Sequence, residues 1–315
     1  MDLTCPLCAG ADVRPSWHGS LFFKGREFEY LECARCLSLF CHPMPDAAVL
    51  VQMYGPHAER EYEGSPDHVQ CADPGRTLEY LRTLPRGRFL DFGCGGGGLL
   101  RKARALGFEV LGIEYDAAIA ERVRARTGLD TTHFGSDWPL SNRSWADVLH
   151  LGDVLEHLTD INGQFAQILA LLKPGGVLLV EGPLQANATL FNLCLRLARP
   201  LLRRLRQFEV APQHVLLATL KGQKAFFARF GLREAHFALW EDPWPAPSTV
   251  SVSDIRRPRT LGLYALGQLS RGLSRLRAKQ WGNRFFFVGY RRRSDEQGAD
   301  SNLTPPGSAG TVSVS

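Results

Sequence analysis

The chain has 315 residues, 44% hydrophobic and 22% charged, a composition that can bury a sizeable core and is unlike that of collagen or a wholly disordered polymer. No stretch approaches the roughly 18 consecutive apolar residues of a membrane span, and Met1–Pro6 shows neither a basic flank nor an apolar run, so residence in the cytosol is expected. The net charge of +5 is unevenly spread: residues 184–206 hold five Arg, residues 255–284 hold seven Arg plus Lys279, and neither stretch has an acid. In chain order, residues 1–45 hold five of the eight cysteines and short alternating runs, which predicts a small strand-rich unit. Residues 46–85, punctuated by Pro, Gly, Tyr and His, predict a helical connector covering the site described below. Residues 86–293 alternate strand-like and helix-like patterns, the mark of an α/β sheet. Residues 294–315, rich in Ser, Gly, Pro and Thr, are expected to be disordered.

Short apolar runs bounded by Gly, Pro or Asp predict strands at Arg88–Phe92, Glu109–Glu114, 131–134, 147–151, 176–181, Leu232–Trp240 and Arg284–Arg291. Helices are expected at 99–106, Ala117–Thr127, 163–172 and 220–230, and an insertion at 183–211. The fold class that follows is α/β, a doubly wound seven-stranded sheet.

The most informative run is Phe89-Leu90-Asp91-Phe92-Gly93-Cys94-Gly95-Gly96-Gly97-Gly98, an apolar strand entering a glycine loop and then a helix. Glycines permit a tight turn and let a ligand approach the backbone, at the strand ends where such folds bind ligands. Glu114 ends the second strand about twenty residues on, placed to accept ribose hydroxyls. Gly93-x-Gly95-x-x-Gly98 also fits a dinucleotide fingerprint, so a nicotinamide-dependent oxidoreductase, or a non-catalytic cofactor-binding protein, is the alternative from another class. Asp91 tips the balance: a carboxylate at the mouth of the loop repels a pyrophosphate and attracts a cationic sulfonium cofactor.

On these residues the chain resembles the class I S-adenosylmethionine-dependent methyltransferases, whose first motif reads acidic-x-Gly-x-Gly-x-Gly. The segment Asp147–Leu158 looks like that family's fourth strand and following loop, and Leu171–Glu181 like its helix–turn–fifth strand, with Gly175-Gly176 breaking the helix. Pro212-Gln213-His214, ahead of a helix ending Phe230-Gly231-Leu232, is similar to one subgroup of that family, and an N-terminal pair of Cys-x-x-Cys motifs followed by Tyr54 and Tyr62 is similar to its small-molecule and sugar methyltransferases. The resemblance implies an antiparallel seventh strand inserted between the fifth and sixth. It implies S-adenosylmethionine as cofactor, with Gly93, Gly95, Gly97 and Gly152 along it, Asp91 near its amino group, Glu114 on the ribose, Tyr115 beside the adenine and Asp137 near the adenine amine.

Cys5-x-x-Cys8 and Cys33-x-x-Cys36 stand 24 residues apart. Two such pairs can place four thiolates around Zn²⁺, a closed site that stabilises a unit too small for a core of its own. A single redox pair needs only one such motif. Cys41, Cys71, Cys94 and Cys194 are expected to be packing residues. For methyl transfer to a hydroxyl a base near neutrality is useful, which points to His157 and His214, while Glu156 could orient one of them.

In the insertion, Arg196, Arg199, Arg203 and Arg206 recur along one helical face and Cys194, Leu197, Leu201 and Leu205 along another, with Pro200 expected to kink or restart the helix. Leu266, Leu269, Leu273 and Leu276 repeat the pattern beside Arg271, Arg275 and Lys279. Such faces suit an anionic membrane surface or a phosphorylated substrate, and ordinary solvation is the plain alternative. Nucleic acid ranks lower, because the Arg residues lack interleaved aromatics. The reading is a cytosolic methyltransferase, peripheral to the inner membrane face in one variant, acting on an oxygen of a small-molecule, sugar or lipid-linked acceptor; an RNA methyltransferase is second.

Overall fold

A computed structural model describes residues 3–54, 75–205, 210–242, 246, 249–250 and 257–291. Two sheets organise it. The smaller begins with a hairpin of β1 (Val13–Phe23) and β2 (Arg26–Cys33), turned by Lys24 and Gly25, both at positive φ. β3 (Leu39–His42) pairs antiparallel with β2, and helix α1 (Ala47–Tyr54) follows, its first turn held by the Asp46 carboxylate, which accepts from the Val49 N–H at 2.9 Å.

The larger sheet has seven strands: β4 (Arg88–Phe92), β5 (Glu109–Glu114), β6 (Thr131–His133), β7 (Ala146–Gly152), β8 (Leu172–Pro183), β10 (Leu232–Trp240) and β11 (Arg284–Arg291). Their spatial order is β10-β11-β8-β7-β4-β5-β6. β4 pairs in parallel with β5 and β7, and β8 in parallel with β7, so the order reverses at β4 and opens a crevice beyond its carboxyl end. β11 lies antiparallel between β8 and β10, the arrangement expected of the seventh strand.

Helices α2 (Gly75–Thr83), α3 (Gly98–Ala105) and α4 (Ala117–Thr127) cover one face of the sheet through Leu78, Leu81, Leu100, Ala103 and Val123, packed on Phe89, Val148, Leu179 and Val288. The other face is covered by α6 (Ile161–Ala170) and α8 (Leu220–Arg229); Phe165, Phe226 and Phe227 pack with Leu149, Leu178 and Phe287. Strand alternation explains the split, since Phe89 and Leu90 point to opposite faces. A short α5 (Trp138–Ser141) and the long helices α7 (Leu190–Leu205) and α9 (Pro258–Leu276) complete the described elements.

Three local expectations are corrected. The helix before the fifth strand of the sheet ends at Ala170, and Gly175-Gly176 lie inside β8, where Gly175 takes φ 79° and lets the strand bend; they do not break a helix. Pro200 does not restart α7, which is one helix across it. A strand not anticipated, β9 (Leu216–Leu217), pairs with β3, so the small sheet runs β1-β2-β3-β9 and closes on a segment more than 170 residues away in sequence. Tyr62 and Cys71 of the connector, Arg206 and the tail 294–315 lie outside the described residues, as do the side chains of Arg199, Leu201, Arg203 and Leu205.

Candidate cofactor and acceptor site

The glycine loop follows β4. Gly93, Gly95 and Gly97 all have positive φ (76°, 50° and 72°), a conformation side-chain-bearing residues rarely take. A Cβ on Gly93 would come within 2.7 Å of Val154, so this glycine also lets the loop after β7 close onto the one after β4. Gly97 caps α3, and Arg126 of α4 donates to the Gly96 carbonyl at 3.0 Å. Glu114, at the end of β5, reaches back so that one carboxylate oxygen accepts from the Gly95 N–H and the other from Tyr115 N–H. Burial raises its pKa, and the two backbone donors oppose that. Tyr115 is exposed beside it, Asp116 caps α4, and Asp137 is exposed at the start of α5.

The structure corrects the position of Asp91. Its carboxylate is not at the loop's mouth; it is 3% exposed under the loop, 2.7 Å from Nδ1 of His150 on β7. Nε2 of His150 lies 3.4 Å from Glu181 on β8, and Thr77 of α2 donates to the same Glu181 oxygen at 3.4 Å. Burial works against charge on this histidine, but Asp91 and Glu181 outweigh it and lift its pKa to about 9. His150 is therefore a buried cation held by two carboxylates at the carboxyl edge of the sheet. A Cβ on Gly152 would come within 2.9 Å of that imidazole, which explains the glycine there.

The two histidines expected to act as bases come together. Residues 155–157 form a single 3-10 turn after β7, and His214 precedes β9; the rings meet edge to face with centroids 4.9 Å apart. His157 Nδ1 lies 2.8 Å from the Gln213 carbonyl and His214 Nδ1 2.8 Å from Gln185 Oε1. Because both partners are acceptors, each Nδ1 carries the hydrogen and Nε2 remains the basic nitrogen. Burial lowers both pKa values, that of His214 to about 3 with help from His157 and Arg284, so both rings are neutral near pH 7. Glu156 is buried, its Oε1 is 4.0 Å from His157 Nε2, and burial together with the charge of Asp153 pushes its pKa up to about 8. Asp153 itself is gripped by Arg284 at 2.8 and 3.0 Å.

With this geometry in place, the comparisons are decisive. Residues 68–234, more than half of the chain, match the family model described as "Methyltransferase domain". The chain belongs to that family. It is similar to the ubiquinone biosynthesis O-methyltransferases of Rhodopseudomonas palustris (strain TIE-1; 30% identical over 116 residues, 35% of this chain and 45% of the relative) and of Brucella melitensis biotype 2 (33% over 119 residues, 35% and 46%). The chain thus spans under half the length of these curated relatives. Among solved structures it is similar to a SAM-dependent methyltransferase from Archaeoglobus fulgidus (TM-score 0.48, 15% identical, covering 75% of this chain and 99% of that one).

The methyltransferase domain carries the seven-stranded sheet described above. The nicotinamide alternative is thereby set aside. In front of its sheet stands the four-cysteine cluster. Cys5 and Cys36 sulfurs are 3.7 Å apart, Cys8 and Cys33 sulfurs 3.5 Å, and all four lie within 4.8 Å of one another. Tetrahedral Zn²⁺ with bonds of about 2.3 Å sets sulfurs about 3.8 Å apart, so the cluster fits. Each pair ends in a turn with a residue at positive φ, Ala9 or Leu37, while Gly10 leaves room where a Cβ would stand 3.1 Å from the Cys33 sulfur. The hydrogen bond from Cys5 holds the Cys36 pKa down at about 5, and the same contact, with burial, raises that of Cys5. Cys41 and Cys94 are buried thiols, as expected of packing residues.

Sequence reasoning about the methyltransferase missed His150, Glu181, Gln185 and the Asp153–Arg284 pair. A signal existed for the first two. Each stands inside the apolar run of its strand, among Val148, Leu149 and Leu151 or after Leu178, Leu179 and Val180, and a buried charge needs a partner.

Proposed function

We propose that the methyltransferase acts on an oxygen of a small-molecule, glycan or lipid-linked acceptor, supported by an N-terminal zinc-binding unit. The oxygen acceptor is supported chiefly by the histidine pair: two neutral imidazoles whose Nδ1 atoms are both committed present two basic Nε2 atoms beside the loop that packs on Gly93. The relatives named for O-methylation agree in kind.

When bound, S-adenosylmethionine supplies a methyl group on a sulfonium. The backbone at Gly93, Gly95, Gly97 and Gly152 would line it, and of these Gly95 faces open space, with nothing within 4 Å of an added Cβ. Glu114, now accepting from the Gly95 N–H, would be the residue to hold the ribose hydroxyls, and Tyr115 and Asp137 would be those at the adenine. Asp91, paired with His150 at 2.7 Å, would be the acidic residue on the side of the cofactor's amino group. His157 Nε2 is the better placed to take the acceptor hydroxyl proton, since His214, lowered to about 3, is the weaker base of the pair. Glu156, protonated near neutrality, holds its own proton close to His157 and keeps a second negative charge out of the pocket. Cys5, Cys8, Cys33 and Cys36 would hold Zn²⁺ as a structural ion.

Three measurements test this reading. Calorimetry is expected to show tight binding of S-adenosylhomocysteine and no response to NAD(H). Methyl transfer from labelled cofactor to an extract of the source cell, followed by mass spectrometry, should yield a methyl ether or ester; a methyl on nitrogen or carbon defeats the oxygen reading. With the acceptor in hand, His157→Ala or His214→Ala is expected to lower kcat by about 10²–10⁴ while homocysteine-product affinity holds. An unchanged kcat in both removes the base role.

A further inference from the structure

α9 is turned the opposite way from an ordinary amphipathic helix. Its buried stripe is Gly267, Ser270 and Ser274, small residues that let it sit close against the body. Ser270 donates to Glu241 at 2.8 Å and accepts from the Phe191 N–H of α7 at 3.1 Å, which joins the two long helices. The outward stripe, at steps of 3, 4, 3 and 4, is Gly262, Ala265, Leu269, Gly272 and Leu276. Leu269 is 58% exposed and Leu276 81%. On α7, Leu193 and Leu197 stand one turn apart, and Leu197 is 73% exposed. Leucines are normally the residues a helix buries. Arg259, Arg275, Arg277 and Lys279 are exposed along and just beyond α9, and no acid occurs in residues 255–284 or 184–206.

We propose that α9, with α7 beside it, forms a docking face for an anionic lipid bilayer, the leucines entering the boundary of headgroups and acyl chains and the cations meeting lipid phosphates. An aliphatic stripe flanked by cations is the composition of an interfacial helix. A second copy of the chain fits poorly, since twofold pairing would set like charges against each other. RNA would leave the leucines in water and finds no aromatic platform on this stripe. The inference concerns docking and stands apart from the reading of the acceptor. Among the described residues no helix is long and apolar enough to cross a membrane, so the contact is peripheral.

The test is cosedimentation of the purified full chain with vesicles of phosphatidylcholine alone or mixed with phosphatidylglycerol. The chain is expected to sediment with the anionic vesicles, to be released by added salt, and to leave neutral vesicles largely unbound. Leu269→Glu with Leu276→Glu should weaken the binding about tenfold or more, with S-adenosylhomocysteine affinity and melting temperature unchanged. Should that variant misfold, Arg275→Gln with Lys279→Gln is expected to weaken binding and flatten its salt dependence. No sedimentation with anionic vesicles overturns the proposal, as does equal binding to neutral ones or wild-type binding by both variants. A dimer seen by light scattering and lost in the leucine variant assigns the face to a second copy, and RNA retention without vesicle binding assigns it to RNA; either result overturns it too.

Discussion

Gly93 is constrained twice, by a φ of 76° and by Val154 at 2.7 Å from any added Cβ. Gly93→Ala therefore combines backbone strain with overlap, about 2–4 kcal/mol of stability; a lowered melting temperature and weakened S-adenosylhomocysteine binding are expected, and wild-type values for both would contradict the loop geometry. At Glu156 the folded chain keeps a proton up to about 8 that the unfolded chain releases near 4.5. Between these values the folded state binds more protons, so stability falls as pH rises. His150, raised from 6.5 to about 9, adds a loss of the same sign as pH climbs through its folded value. On the acid side His214, lowered to about 3, costs stability as pH drops below 6.5. Thermal melts should peak in mildly acidic to neutral buffer and decline toward pH 9, and Glu156→Gln should recover at least about 1 kcal/mol at pH 8 relative to pH 5.

α8 is the element through which the cysteine cluster reaches the catalytic sheet. Its cap, Thr219, accepts from the Gly222 N–H at 3.0 Å and donates to the Cys36 carbonyl at 2.6 Å, while its own N–H meets Ser38 Oγ at 3.0 Å. Gly222 sits in the first turn because a Cβ there would stand 2.1 Å from Ser38 Oγ. At the far end Arg229 donates to the Pro6 and Leu7 carbonyls at 2.9 and 3.0 Å, so both cysteine turns are tied to one helix. Thr219→Ala is expected to cost about 1–2 kcal/mol in denaturant unfolding. Metal analysis should find about one Zn per chain, lost together with several degrees of melting temperature in Cys5→Ser with Cys8→Ser; metal-free protein that melts as the wild type would refute the zinc-bearing cluster.

Across the whole molecule the small sheet and the large one share a core. Cys5, Leu7, Phe28, Leu39 and Phe40 belong to the same apolar cluster as Phe165, Phe226 and Phe287. Tyr30 donates to the His214 carbonyl, and the Cys41 N–H donates to the Val215 carbonyl at 2.8 Å, so the N-terminal strands hold the segment that carries a proposed base. Removal of residues 1–45 should therefore expose apolar surface and release His214; the truncated chain is expected to aggregate or to lose near-ultraviolet circular dichroism, and a stable, active truncation would show that the two sheets are independent.

Local pattern alone determined a good part of this. The bounds of β4, β5, α4, β10 and β11 follow from apolar runs and their Gly, Pro and Asp flanks, and the glycine loop and paired cysteines announce themselves because φ preference and ligand chemistry are properties of single residues at short spacing. What meets what across the fold was decided only in three dimensions. Asp91 and His150 are 59 positions apart and become partners because β4 and β7 are neighbours in the sheet, which turned an expected carboxylate at the loop mouth into a buried ion pair. β9 is two residues long, too short to carry a period, and exists because β3 offers it an edge. On α9 the packing of Gly267, Ser270 and Ser274 against the body leaves Leu269 and Leu276 outward: periodicity reveals that a helix has two faces, but only its neighbours determine which one is buried.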